Sequence, residues 1–241
     1  MDIIPAIDII GGKCVRLTQG DYGTIKIYSG SPVEVAKRYN DSDFKRVHIV
    51  DLDGAKSGSP VNLKILEKIA SETNLKIQFG GGIKSEESLS DALNAGASKV
   101  ICGTFALTQP EKFSGWIDKY SQEKIVLGAD FREGKIAVNG WQKQTEILLE
   151  DIIERFYTYG LRELVATDIS RDGMLSGVNA DTYYRLKKRF DLLRVVVSGG
   201  VSSIEEIEKL DSSLISGVIV GKAIYEGKIN LKKLGRCCQK E

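Results

Sequence analysis

The chain has 241 residues, the size of one β/α barrel, and 42% of them are hydrophobic. Its 34 Lys and Arg against 33 Asp and Glu leave a net charge of +1, which supplies no field for gathering nucleic acid or an anionic membrane. A single histidine, His48, makes Ser-His triads and multi-histidine zinc sites hard to build, so acid–base chemistry falls to carboxylates, lysines or that one imidazole.

No apolar run reaches the roughly 18 residues of a membrane span, and the N-terminal MDIIPAID lacks a basic leader region. The four cysteines, Cys14, Cys102, Cys237 and Cys238, form no CxxC pair. They are expected as reduced thiols in a cytoplasmic protein.

In chain order, Ile3–Ile7 reads as a buried strand ending at Asp8. A long polar first loop follows, with DYG at Asp21–Gly23, and is expected to close as a lid. Pro32–Tyr39 reads as a helix with Ser31 as N-cap and Pro32 at the first helical position. The strand Arg46–Val50 contains His48 and ends at Asp51. Lys76–Phe79 ends in Gly80-Gly81-Gly82 and is followed by a helix over Ser85–Asn94, whose first turn carries Glu86 and Glu87. Lys99–Cys102 ends in Gly103-Thr104, and Trp116 falls in a helical pattern where it reads as packing. Lys124–Gly128 leads to Asp130 and a VNGWQ segment that reads as a mobile turn around Trp141, with a helix predicted over Thr145–Tyr159. Leu164–Thr167 leads to Thr167-Asp168, and a helix over Asn179–Arg189 follows. Arg194–Val197 ends in Ser198-Gly199-Gly200, with a helix over Ser203–Leu210, and Gly217–Val220 ends in Gly221-Lys222.

Eight strands alternating with helices fit a closed parallel barrel or an open sheet. An internal repeat favours the barrel. AID and GKCV near the start match GAD and GKIA after Gly128; IVDLDGAKSG matches ATDISRDGMLSG; FGGGIKSEESL matches VSGGVSSIEEI; VICGTFA matches VIVGKAI. The matches run in order at a nearly constant offset, which predicts an α/β single (βα)8 TIM barrel made of two (βα)4 halves, roughly 1–122 and 123–241, in one domain.

Barrel sites lie at the C-terminal ends of the strands. Gly81, Gly82, Gly103 and Thr104 read as one phosphate cradle, and Ser198, Gly199, Gly200, Gly221 and Lys222 as a second, because glycine lets backbone N–H groups approach an anion. The bland alternative is that these glycines serve tight turns. Asp8 and Asp130 face each other as a candidate acid–base pair, against the alternative of structural aspartates capping a loop or pairing with Arg16 or Arg132. Asp51 and Asp168 are repeat-equivalent, and either contact a ligand or hold their loops. Asp53, Thr167 and Asp172 read as orienting groups. His48 is a core histidine or a substrate contact. Trp141 either stacks on a heteroaromatic ring or packs on the rim.

Taken together, PAIDIIGGKCVRLTQGDYG, HIVDLDGAKSG, IQFGGGIKS, the VNGW loop, TDISRDGMLSG, VVVSGGVSS and GVIVGKAIYEG resemble the phosphoribosylformimino-aminoimidazole-carboxamide ribotide isomerase family of histidine biosynthesis over essentially the whole chain. The resemblance implies an Amadori rearrangement of a bis-phosphorylated aminoaldose, with no cofactor and no metal. It implies Asp8 as proton acceptor, Asp130 as proton donor, Arg16, Thr167 and Asp172 lining the site, and Trp141 beside the substrate. Lys84 stands where the family usually has Arg after GGGI, keeping the charge without the bidentate fork. Met174 lies in DGMLSG where DGT is common. The expected partner is the small bis-phosphate substrate alone, with no nucleic acid and no membrane, and the protein is expected as a monomer. The rivals are the sister imidazole glycerol phosphate synthase cyclase, a dual-substrate isomerase also acting on phosphoribosylanthranilate, and a silent barrel that binds a phosphorylated metabolite. DLDGAKSG and the NGW loop favour the isomerase over the cyclase.

Overall fold

All eight anticipated strands form, and they close on themselves. The computed structural model describes residues 1–18, 20–138 and 140–237; Cys238 and the Asn139 of the VNGWQ segment lie outside the described residues. In chain order the strands are β1 (Asp2–Ile10), β2 (Lys13–Thr18), β3 (Asp21–Ser29), β4 (Arg46–Asp51), β5 (Lys76–Gly80), β6 (Lys99–Cys102), β7 (Ile125–Arg132), β8 (Lys135–Val138), β9 (Lys143–Leu148), β10 (Glu163–Asp168), β11 (Arg194–Ser198) and β12 (Gly217–Val220). Parallel pairing runs β1, β4, β5, β6, β7, β10, β11, β12 and returns to β1. Helices fill the connections, so the architecture is the (βα)8 barrel. No helix among the described residues is long and apolar enough to cross a membrane.

Strand pleating sorts each side chain inward or outward. Outward-facing Ile7, Ile49, Ile77, Phe79, Val195 and Val197 pack with Leu66, Ile69, Phe113, Phe156 and Tyr183 in one buried cluster between sheet and helices. Inward-facing Ile4, Ala6, Val126, Val165, Val196 and Ile219, with Ile101, form a second, smaller cluster inside the barrel. Below it the strand starts place charged groups. Glu163, only 1% exposed, bonds Lys99 and, at 3.0 Å, Arg194, whose guanidinium also grips Glu123 at 2.9 and 3.1 Å. Above it lie Asp8, Asp130, Thr167 and Ser198, and there the site opens.

Helix starts obey local chemistry. Ser31 accepts from the Glu34 N–H, Ser203 from Glu206, and Ser85 makes a reciprocal capping box with Ser88. Trp116 is buried and stacks on Phe105 with ring centroids 4.2 Å apart. Cys14, Cys102 and Cys237 are free thiols.

Two expectations need correction. The first loop is not irregular: it forms the antiparallel hairpin β2–β3, with β2 also paired to β1. Its outer strand is exposed along most of its length, Ile25 and Ile27 included, which hides the alternation that marks a half-buried strand. The helix predicted over 145–159 is split. Lys143–Leu148 is strand β9, paired with β8, and the helix runs Leu149–Tyr157. Thr145 and Ile147 suit a strand, and pairing with β8 overrides the acidic helical pattern that follows.

Candidate active site

Asp8 stands near the end of β1, just above Ala6 in the inward-facing column. Its Oδ2 accepts from Arg16 Nη1 at 2.7 Å, and the two side chains are 14% and 13% exposed. The hairpin that sequence read as a lid therefore brings Arg16 back beside Asp8. Arg16 also reaches the Ala6 carbonyl at 3.3 Å and lies 5.3 Å from the centre of the Tyr225 ring. A Cβ on Gly221 would lie 2.0 Å from Arg16 Nη2, so that glycine leaves the space the guanidinium occupies. Burial raises the pKa of Asp8, and the charge and hydrogen bond of Arg16 oppose that rise.

Asp130 occupies the corresponding place on β7. Its partners are neutral: Trp141 Nε1 donates to Oδ2 at 2.8 Å, and the Thr167 hydroxyl donates from the paired position on β10. Burial raises this carboxyl too, opposed only by those two hydrogen bonds. The two aspartates thus sit in unlike environments, one beside a cation and one beside neutral donors.

Trp141 lies in the turn at the tip of the β8–β9 hairpin, with φ of 71°. A Cβ on Gly20 would lie 2.5 Å from the Trp141 ring, so the two hairpin tips meet over the mouth.

Asp172, half-buried in the loop after β10, completes the cluster. Its pKa is pushed up to about 6 by burial, with Arg16 lowering it and Asp8 and Asp130 raising it. A carboxyl raised by folding holds its proton more tightly folded than unfolded. Stability therefore falls as pH rises from the ordinary 3.8 through about 6. Asp172→Asn removes that penalty, so above pH 6 the variant is expected to be more stable than the parent by on the order of 1–2 kcal/mol. The two should converge near pH 4. Denaturant midpoints at both pH values check this, and a variant less stable than the parent at pH 8 refutes it.

Other candidates serve the loops. Asp51 is fully buried: Oδ1 accepts from Gly54 N and Asn62 Nδ2, and Oδ2 from Val61 N and Asn62 N, all at 2.7–2.9 Å. Its carboxylate is used by its own loop, which corrects its reading as a ligand contact. Asp53 bridges Gly11 N and Asn62. Asp168 holds Ser170 through N and Oγ and lies 3.5 Å from Arg171. Asn62, which completes the Asp51 knot, carries no recognisable motif, and Gly54, inside DLDGAKSG, shows its role only once the loop is folded.

The glycines prove necessary for a reason besides anions. At Gly81 a Cβ would fall 2.1 Å from the Asp51 carbonyl, and at Gly199 2.7 Å from the Asp168 carbonyl; both have positive φ. Gly82 and Gly200 likewise pass close to the Gly54 and Gly177 carbonyls. Gly103 and Gly221 precede the short helices 104–108 and 222–225, neither of which has a side-chain cap. Ser198 is buried and its carbonyl accepts from Tyr183. Lys222 Nζ donates to the Gly173 carbonyl at 2.7 Å, tying the last strand to the loop that carries Asp172. Lys84 is exposed at the rim and reaches over Gly58. His48 lies one layer below Asp8 and bonds Gln78 at 3.0 Å.

A (βα)8 barrel with two partly buried aspartates on non-adjacent strands, one salt-bridged and one held by neutral donors, has the makings of an acid–base enzyme. The family described as histidine biosynthesis proteins matches residues 2–230, and the chain belongs to it. It is 51% identical over 236 residues to a protein of Parabacteroides distasonis, covering 98% of this chain and 99% of that one. It is 46% identical to one from Cytophaga hutchinsonii, with 98% of each covered, and 48% identical to one from Bacteroides thetaiotaomicron, covering 97% and 98%. All three are named 1-(5-phosphoribosyl)-5-((5-phosphoribosylamino)methylideneamino) imidazole-4-carboxamide isomerase.

Proposed function

We propose that the chain catalyses the isomerisation for which these relatives are named, an Amadori rearrangement of a bis-phosphorylated aminoaldose to its aminoketose. The observation that carries this reading is near-full-length identity of about half to proteins of that name, together with Asp8 and Asp130 at the ends of β1 and β7. Asp130, without a cation beside it, retains a proton and delivers it to the ribose ring oxygen, opening the ring to a Schiff base. Asp8, whose charged form Arg16 favours, removes the C2′ proton. The resulting enolamine takes a proton at C1′ and loses the one on its oxygen, giving the ketone. Oxidation at C2′ balances reduction at C1′ within one molecule, so the reaction as written is internally redox-neutral.

Two phosphate cradles complete the reading: Gly81, Gly82, Gly103 and Thr104 on one side, Gly199, Gly200, Gly221 and Lys222 on the other. The uncapped helix starts after Gly103 and Gly221 support it. We also read the barrel as two fused halves in a single domain. That reading is supported by Asp8 and Asp130, and by Gly81 and Gly199 closing on Asp51 and Asp168 alike. The free thiols of Cys14 and Cys102 suit a cytoplasmic setting.

The test is turnover of the bis-phosphate aminoaldose by the purified protein, with phosphoribosylanthranilate assayed in parallel. Conversion of the first is expected. No conversion of it refutes the reading, and conversion of both establishes the dual-substrate alternative. Two inorganic phosphates per chain are expected to compete with substrate, and a single site would argue for a monophosphate substrate.

A further inference from the structure

The barrel interior is filled by Ile4, Ala6, Ile101, Val126, Val165, Val196 and Ile219, and beside them point two polar side chains, His48 on β4 and Gln78 on β5. The two are register partners across the strand pair. Placing an amide in such an interior costs free energy unless its polar atoms are met. Gln78 is 2% exposed, and its Nε2 lies 3.0 Å from His48 Nδ1. Its Oε1 is buried without a protein partner. Below the amide lie Arg46, the inward-facing residue before His48 on β4, and Lys99, the register partner of Gln78 on β6.

These neighbours decide which way the amide faces. An NH2 group turned toward Arg46 and Lys99 would point donors at cations, whereas the carbonyl oxygen turns its negative end to them. The NH2 is therefore left to face His48, and Nδ1 must accept. Burial, reinforced by Arg16 above, pushes the imidazole pKa down to about 3, so the ring is neutral at working pH. A neutral ring that accepts at Nδ1 carries its proton on Nε2.

We propose that Gln78 is a positioning residue whose amide locks His48 as the Nε2–H tautomer, so that the floor of the site beneath Asp8 presents a fixed N–H donor to an oxygen of the reacting sugar. The kinetic part rests on the isomerase reading, and the tautomer does not. His48 is a donor here and takes no part in moving protons.

His48 is the one histidine in the chain, so ¹⁵N-histidine labelling gives a single, unambiguous imidazole spectrum. The two-bond ¹H–¹⁵N pattern should report Nε2–H throughout about pH 5 to 8. In Gln78→Leu it should become a tautomer mixture, and in Gln78→Glu the Nδ1–H or charged form. Gln78→Leu should lower kcat/KM about tenfold, the worth of one hydrogen bond. In a His48→Ala background it should lower it no further. An Nδ1–H or charged ring in the parent overturns the proposal, even if every variant fails to fold. So does a Gln78→Leu protein that keeps both the Nε2–H pattern and full kcat/KM. A locked tautomer in a parent protein with no isomerase turnover supports the lock and refutes the functional reading instead.

Discussion

Asp8→Asn is expected to lower kcat by about 10²–10⁴-fold with KM little changed, because it removes the group that takes the C2′ proton while leaving the binding surface in place. The substitution is nearly isosteric, and Asn can still accept from Arg16. Burial opposes the charge here and Arg16 favours it, so the variant leaves the guanidinium without its counter-ion, and thermal unfolding of the variant beside the parent separates lost chemistry from lost fold. Exchange of the C2′ proton with solvent should stop. Asp130→Asn should lose activity to a similar extent, but one step earlier, at ring opening. A substrate analogue already in the open-chain form should then restore part of the activity to Asp130→Asn and none to Asp8→Asn. Equal rescue of both would reverse or abolish the assignment of roles, and near-normal turnover by either variant would remove that residue from the mechanism.

Asp51→Ala is expected to be the most destabilising of the substitutions considered, by about 4 kcal/mol. Four donors converge on this fully buried carboxylate, three of them backbone N–H groups. Bonds to a charged acceptor contribute about 1.5–3 kcal/mol each when intact, and buried donors left without a partner cost about 1–3 kcal/mol. The effects are not additive, because the loop relaxes once the knot is cut. In a chain of this length the loss corresponds to a drop in Tm of about 10–15 °C. Thermal and urea unfolding check it. A change below about 1 kcal/mol would mean that the loop between β4 and the helix starting at Leu63 is not held by Asp51. Because the same loop backs onto Gly81 and Gly82, weaker substrate binding should accompany the loss of stability.

The barrel strands were legible because they are buried on both faces and read as short apolar runs. Ile3–Ile7 and Leu164–Thr167 need no alternation to be recognised. The hairpins were not, since β2, β3, β8 and β9 are held by pairing partners that sequence does not display. The exposed Ile25 and Ile27 could equally belong to a loop. At the site, Asp8 and Asp130 were visible as carboxylates at strand ends, but what distinguishes them was not. Arg16 reaches Asp8 only because the chain folds back as a hairpin, and Trp141 reaches Asp130 only because β8 and β9 aim it inward. Glycine is the hardest letter to read. Gly81 can be required by an approaching phosphate or by the Asp51 carbonyl behind it, and the sequence is the same in both cases. Asp51 and Asp168 looked like Asp8 and Asp130 because all four end strands. The pleat turns one pair toward the mouth and the other into the surrounding loops.

The seam of the barrel joins Asp2–Pro5 on β1 to Gly217–Val220 on β12. A ribosome adding about 5–20 residues per second takes on the order of ten to forty seconds to make the intervening chain. Throughout that time Asp2–Pro5 of β1 has no strand to bond with on the β12 side, although β4 can already pair along the other side and β2 covers Asp8–Ile10 on this one. The nascent sheet grows as an open, twisted ribbon whose leading edge offers backbone N–H and carbonyl groups to any neighbouring chain. Closure waits on β12 and removes both edges at once. Native cooperativity therefore waits on the last strand, and a chain cut short before Gly217 would keep an adhesive border that the finished barrel does not have.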